Sequence, residues 1–416
     1  MLRILRSSDR AAIDALFARR SARLEEAEAV VRPILAAVRE RGDAALVEYA
    51  RKFDRLEGDS VRIPAEELSR QADAVTPALR SAVETAAGQI RAFAERQAPR
   101  GWMDEIGPGI RLGQIVRPLD AVGAYIPGGR YPLPSTLMMT VIPAQVAGVG
   151  TISACCPGPT PETLATAGLL GVKNFFRMGG AQAIAAFCYG TETVPRAQRI
   201  VGPGNIYVAA AKKLLAGDVG IDFVAGPTEI LLIFPDGDPR KLAADMLAQA
   251  EHDVDAAAIL LTMSAETAER TAAEVERQLE TLPTAAVARR AIDDNSAIVI
   301  CDSVAEACAI SNDFAPEHLS VADDSFLDQI VHAGSVFVGP WSPEAAGDYA
   351  SGPNHVLPTS GAARLRGGLS ILDYVKIITV QQLEPAGLER IASAVTTLAR
   401  AEGLEAHARS VEARFD

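Results

Sequence analysis

Five histidines stand in 416 residues, and three keep a carboxylate close by: Glu251-His252, Glu317-His318, and Glu402 with His407. A fourth, His355, ends the stretch GDYASGPNH, which carries Asp348. Imidazoles and carboxylates together supply what a metal site or an acid–base pair needs. Acidic residues are common in this chain, so one such neighbour can arise by chance. Three pairs among five histidines point to a functional site.

Gln249 and His252 lie in ADMLAQAEHD, whose apolar spacing predicts a helix. A three-residue spacing puts both on one helix face. A carbonyl oxygen and an imidazole nitrogen so placed can hold one metal ion if other ligands converge. Alone, the same pair decorates a solvated face. Glu317 and His318 are adjacent in DFAPEHLSV. Pro316 breaks a helix and puts the pair in a loop, with the two side chains diverging to different tasks. Imidazole is the usual proton acceptor near pH 7, and a helix-end cap is the bland alternative. Asp348 falls in GDYASGPNHVLPTSG, whose small residues predict a tight loop near a ligand. It is either an anionic metal ligand or a turn-forming aspartate. His407 follows Glu402 by five residues, which is no shared helix face, so a helix break is expected at Gly403.

Three glycine-rich segments could serve a cofactor: IPGGRYP (126–132), MGGAQAI (178–184) and VGPGNIY (201–207). None is G-x-G-x-x-G, so the standard dinucleotide fingerprint is missing. Each follows an expected strand and precedes an expected helix, an arrangement that can turn a helix N-terminus toward phosphate. Spacing alone does not decide it. Cys155 and Cys156 end the apolar run GVGTISACC and are read as buried structural thiols, since nothing nearby in sequence would lower their pKa.

These residues need elements to hold them. Residues 1 to about 100 read as amphipathic helices. From about Val116 the runs AVGAYI, TISACC, NFFRM and RIVG read as strands, with TLMMTVIPAQVAGV and AQAIAAFCYG as helices between them. That alternation predicts βαβ units and a parallel sheet. A second block alternates likewise: EILLIF, AAILLT, AIVIC and GSVFVG as strands, with helices in ADMLAQAEH, TAERTAAEVERQLETL and VAEACAISNDFA. The last segment, from about Ser370, reads as strand or helix and then as a helical tail. No repeat of fixed short period links the two blocks.

The length predicts more than one domain. A net charge of −13 excludes a nucleic-acid or anionic-membrane partner. No signal peptide is expected, because MLRILRSSDR lacks a following apolar segment. Pro143 and Gln145 interrupt the longest apolar stretch, so no membrane span is expected. Five cysteines without CxxC spacing fit a reducing cytoplasm.

The motifs VGAYIPGGRYPLPST, GGAQAIAA, YGTETVP, IVGPGNIYVAAAKK, GIDFVAGPTEI, AQAEHD, APEHLS, GDYASGPNHVLPT and AEGLEAHA, in this order, resemble the histidinol dehydrogenase family from about residue 25 to the end. The resemblance implies an α/β fold of two incomplete Rossmann-like lobes, aldehyde-dehydrogenase-like, with small helical N- and C-terminal pieces. The implied domains are an arm at 1–20, a first lobe of 21–124 with 228–369, a second lobe of 125–227, and a tail of 370–416 that reaches a partner subunit. It implies oxidation of L-histidinol to L-histidine through L-histidinal with two NAD+, in a cytoplasmic homodimer with shared sites and one zinc per subunit. By the same resemblance Gln249, His252, Asp348 and His407 hold zinc, and Glu317 and His318 are the acid–base pair. Tyr125, Gln182 and Asn205 contact NAD. Substrate contacts fall to Thr228, Gln249, His252, His318, Asp348, Glu402 and His407.

A mixed nitrogen and oxygen donor set suits zinc, which has no redox chemistry, so the electrons leave as hydride to a nicotinamide. Two departures stand out. Thr228 occupies a position where the family usually has serine, and Tyr131 replaces a small residue after the IPGG turn. The rival readings are a related NAD-dependent dehydrogenase for another small polar alcohol, a non-catalytic metal binder and a zinc hydrolase. The last two would not need the NAD contacts.

Overall fold

The computed structural model describes residues 2–18, 24–128 and 131–415. Its larger compact unit comprises Met1–Gln97 and Leu119–Tyr374. Two parallel sheets frame that unit. The first runs in the order Arg3–Arg6, Ala297–Ile300, Ala257–Thr262, Glu229–Ile233, His318–Val321, Ser335–Val338, with every pairing parallel. Its central strand, EILLI, is buried at every position. A continuous apolar run, rather than alternation, is what a strand covered on both faces requires. The connecting helices begin on side-chain caps. Asp238 accepts from the Arg240 N–H ahead of helix Pro239–Ala250, and Ser264 accepts from the Thr267 N–H ahead of helix Ala265–Leu279.

The second sheet runs Arg62–Ile63, Asn174–Phe176, Thr151–Cys155, Ala121–Tyr125, Arg199–Val201, Gly220–Ile221. All its pairings are parallel except that of Arg62–Ile63 with Asn174–Phe176. In both sheets the first strand of the βα series lies at the centre, the next two extend one way and the last two the other. The two blocks therefore share one winding order, a kinship the sequence conceals because the side chains differ.

The N-terminal region departs from an all-helical reading. Arg3–Arg6 is a strand on the edge of the first sheet, followed by helix Arg10–Ala18. Residues 19 and 20, the end of the expected arm, lie outside the described residues. Helices Leu24–Arg41 and Asp43–Phe53 pack over the second sheet, as do Ala65–Ala74 and Pro77–Gln97, and the last of these also shares a core cluster with Val356 and Leu369. The reason is local: helix Gly180–Tyr189 buries nearly its whole surface, so it needs an outer layer, which Val31, Leu35 and Val38 provide.

The smaller unit joins Ala98–Pro118 to Val375–Asp416. Its antiparallel sheet has the order Val375–Leu383, Ile110–Pro118, Trp102–Gly107. The hairpin lies outside the elements expected from the sequence, although Gly107-Pro108-Gly109 marks its turn. Helices Pro385–Ala401 and Glu405–Glu412 are separated at Gly403, which has φ +77°, the expected break. No described helix is long and apolar enough to cross a membrane.

Candidate active site

A cavity of about 480 Å³ opens at the amino ends of the first sheet, with Thr228, His252, Glu317, His318, Asp348 and His355 in its wall. Strand pairing brings two of its segments together. Ile230 is in register with His318, so Thr228 and Glu229 at the start of one strand meet Glu317 just ahead of the other. Oε2 of Glu317 accepts from the Thr228 hydroxyl at 2.6 Å and from the Glu229 N–H at 2.9 Å. Helix Val304–Phe314 ends at Ala315, whose φ is +52°, and Pro316 prevents its continuation. His318 then opens a strand instead of sitting in a loop. The expected divergence of Glu317 and His318 is not found, because Oε2 of Glu317 lies 3.6 Å from Nδ1 of His318.

Nδ1 of His318 is 3.1 Å from the carbonyl oxygen of Glu229 and 3.3 Å from Oε1 of Glu344. A carbonyl only accepts, so the proton belongs on Nδ1 and the lone pair on Nε2. Nε2 is buried without a hydrogen-bond partner among the described residues, 3.8 Å from Oδ1 of Asp348. Burial pulls the imidazole pKa down to about 4, against the pull of the Asp348 charge, so the ring is neutral at pH 7. Burial also pushes the carboxyls of Glu317 and Glu344 well above their ordinary range. For Glu317 the bonds from Thr228 and Glu229 oppose that push.

Asp348 is on a short helix, Glu344–Tyr349, not in the expected loop. Glu344 and Asp348 are four residues apart, hence on one face, and both reach His318. Helix Pro239–Ala250 ends before His252, which sits in the turn beyond Gln249 rather than on a shared helical face. Nε2 of His252 still comes within 3.7 Å of Oδ2 of Asp348. Gln249 is fully buried between Thr228 and Glu344. With its NH2 toward Glu344 it donates to that carboxylate, and its carbonyl accepts from the Glu229 N–H at 3.2 Å. The reverse orientation donates to the Thr228 hydroxyl at 2.6 Å, and then Glu344 must carry a proton to face the amide oxygen. His355 holds the backbone carbonyl of Asp348 at 2.7 Å through Nδ1 and meets the Thr136 hydroxyl at 3.2 Å through Nε2. Ligand atoms of His318, Glu344 and Asp348 lie within 4.8 Å of one another, close enough to share a cation.

A second cavity, of about 670 Å³, lies at the carboxyl ends of the second sheet and contains Tyr125, Gln182 and Asn205. Carboxyl ends at a switch in strand order are where open α/β sheets take ligands. Here the switch lies between Ala121–Tyr125 and Arg199–Val201. Only glycine fits next: Gly202 has φ +108°, and a Cβ there would lie 2.1 Å from the carbonyl oxygen of Tyr125. Asn205 then caps helix Ile206–Leu215 by accepting from the N–H groups of Tyr207 and Val208. Asn205 lines both cavities. Gly129 and Arg130 of the IPGGRYP segment lie outside the described residues. Tyr131 donates to the Glu251 carbonyl at 3.4 Å, one residue from His252.

Glu402 and His407 belong to the smaller unit, Glu402 as the C-cap of helix Pro385–Ala401 and His407 within helix Glu405–Glu412. All five cysteines are free and buried. Burial pushes the Cys156 thiol to about 11 and Cys155 well above its ordinary value, as structural thiols require.

A sequence profile of histidinol dehydrogenase matches residues 17–415. The chain belongs to the histidinol dehydrogenase family. It is 48% identical over 397 residues to histidinol dehydrogenase of Gluconobacter oxydans, covering 93% of this chain and 92% of that one. Against the enzyme of Geobacter sulfurreducens the identity is 47%, with 96% of each chain covered. The crystal structure of histidinol dehydrogenase from Elizabethkingia anophelis superposes with a TM-score of 0.95 at 37% identity, over 100% of this chain and 98% of that one. As a member of this oxidoreductase family the chain acts on a CH–OH group.

Within that frame, Glu344, His355 and Asp54 are the site neighbours that sequence reasoning did not single out for a role. The four-residue spacing of Glu344 and Asp348 was a usable signal. His355 stands out in the sequence, but its bond to the Asp348 backbone depends on the tertiary fold. Asp54 bonds Gly179 and Gln182 across more than a hundred residues of chain, and no local pattern announces it.

Proposed function

We propose that this chain oxidises L-histidinol to L-histidine through L-histidinal, with two NAD+ and one zinc ion per subunit, in the cytoplasm. The single observation that carries the reading is the bare, buried Nε2 of His318 facing a cavity that shares Asn205 with a second cavity suited to a dinucleotide.

Tyr125, Gln182 and Asn205 are the proposed NAD contacts. Gln249, His252 and Asp348 are the proposed zinc ligands of the larger unit, with His407 as the fourth. The donor set fits: the nitrogen of His252 and the oxygen of Asp348 are 3.7 Å apart, within reach of one ion. Gln249, fully buried behind Thr228, would have to release its bonds to Thr228, Glu229 and Glu344 to serve as a ligand. When bound, NAD accepts a hydride in each step, and zinc orients the substrate and polarises its oxygen.

The rest is the work of side chains. Nε2 of His318 takes the alcohol proton as hydride departs, with Nδ1–H held on the Glu229 carbonyl. Glu317, fixed by Thr228 and Glu229, takes a proton from the water that attacks the aldehyde. Glu402 accepts from the substrate imidazole N–H, which selects histidinol over plain alcohols. Thr228 supplies a hydroxyl to the site, as serine would.

A homodimer with shared sites completes the reading, Glu402 and His407 coming from the neighbouring chain. Exposed apolar side chains on the smaller unit, Ile106 and Leu398 among them, support a buried partner face there. The test is stoichiometry with the purified protein. Two NADH per histidinol and little free aldehyde are expected. One NADH, or turnover of another alcohol without histidinol, would overturn the assignment.

A further inference from the structure

Asp54 is the C-cap of helix Asp43–Phe53, and the chain leaves that helix through Arg55 at φ +55°, a left-handed conformation that favours glycine. The turn delivers both residues to the second cavity, beside Tyr125 and Gln182. Oδ2 of Asp54 accepts two bonds there, from the Gly179 N–H at 2.9 Å and from Nε2 of Gln182 at 3.0 Å. The next N–H, of Gly180, donates to the Tyr125 hydroxyl at 3.2 Å.

We infer that Asp54 is a positioning residue for the cofactor, turning the Gln182 amide so that its carbonyl oxygen is left for the dinucleotide. The inference rests on the reading of this cavity as the NAD site. An ionised carboxylate only accepts, so it selects the NH2 end of the amide. The Gln182 carbonyl oxygen then has no donor among the described residues, and the residue lines the cavity. Tyr125, already accepting from Gly180, keeps its own proton to donate. The cavity thus presents one acceptor and one donor in fixed places, which suits the hydroxyl and amide groups of a dinucleotide. Gly180 holds its place for the same reason: at φ +57°, a Cβ would sit 2.9 Å from Oε1 of Gln182.

The measurement is the dissociation constant of NADH, by fluorescence titration at pH 8 on the zinc-loaded dimer without substrate. Asp54→Ala and Gln182→Ala should each weaken NADH by about tenfold, the scale of one hydrogen bond. The double variant should be no weaker than Gln182→Ala to within about twofold, because Asp54 acts through Gln182. Asp54→Asn should bind within about threefold of the parent, since its carbonyl oxygen accepts the same two N–H groups. The KM for histidinol at saturating NAD should not move in Asp54→Ala, a split that a general folding defect would not give. Should Asp54→Ala not fold, Asp54→Ser takes its place with the same expectation. A double variant weakened by the product of the two single effects, or unchanged binding in Asp54→Ala beside weak binding in Gln182→Ala, overturns the inference. Unchanged binding in Gln182→Ala overturns the cavity assignment itself, and the inference with it.

Discussion

The Nδ1 atom of His318 lies 3.1 Å from the backbone carbonyl of Glu229, and this one contact decides which ring nitrogen is free for chemistry. Because a carbonyl cannot donate, the neutral ring keeps its proton on Nδ1 and offers a lone pair at Nε2. The contact depends on the parallel pairing of the strands that begin at Glu229 and His318.

His318→Asn should therefore cut kcat by about a hundredfold to ten-thousandfold, the usual cost of a lost general base. Zinc content, read by elemental mass spectrometry, should stay near one per subunit. A His318 variant that loses its zinc would assign the residue to the metal instead.

His252→Asn should do the reverse and lower zinc occupancy, since it removes a proposed ligand facing Asp348. Added zinc should restore part of its activity. Full occupancy after dialysis would remove His252 from the ligand set.

Thr228 separates shape from hydrogen bonding. Thr228→Val keeps the volume but deprives Glu317 of the hydroxyl at 2.6 Å, and kcat should fall by about tenfold. Thr228→Ser should remain close to the parent. Equal rates for valine and serine would show that the hydroxyl is idle.

Asp54 carries a pH signature in stability. Burial raises its carboxyl to about 6, despite the bonds from Gly179 and Gln182, whereas an unfolded aspartate titrates near 3.9. A raised acid favours the protonated form in the fold, so ionisation destabilises it, starting above about pH 4 and reaching the full cost above about pH 6. Asp54→Asn escapes that cost. In urea unfolding of zinc-free protein, its stability relative to the parent should grow from pH 4 to pH 6.5, by up to about 2–3 kcal/mol, and then level off. A constant difference across that range would place the titration elsewhere.

The shared site has its own test. His318→Asn and His407→Asn chains, each inactive alone, are unfolded and refolded together. In a mixed dimer one site bears both defects and the other neither. Half the dimers are mixed, so roughly a quarter of parental activity should return, by two-fold symmetry. Verified heterodimers without activity would show that the tail serves its own chain.

Local pattern determined much of this protein. Apolar runs such as EILLIF and AAILLT, separated by helical spacing, specify buried parallel strands because period and length act over a few residues. The order of motifs specified the family, and with it the residues to watch. Gly403 marked its own helix break. What the sequence left open depended on contacts between distant segments. The strand at Arg3–Arg6 exists because it pairs with Ala297–Ile300, and its four residues carry too little pattern to declare it. The convergence of Glu317 and His318 comes from the left-handed Ala315 and from pairing with Glu229, neither visible in DFAPEHLSV. The shared winding order of the two sheets, the junction at Asn205 and the grip of Asp54 on Gln182 are likewise tertiary. Burial is the common cause: it strips water from groups of ordinary composition and thereby decides which atom is bare, which is bonded and which is charged.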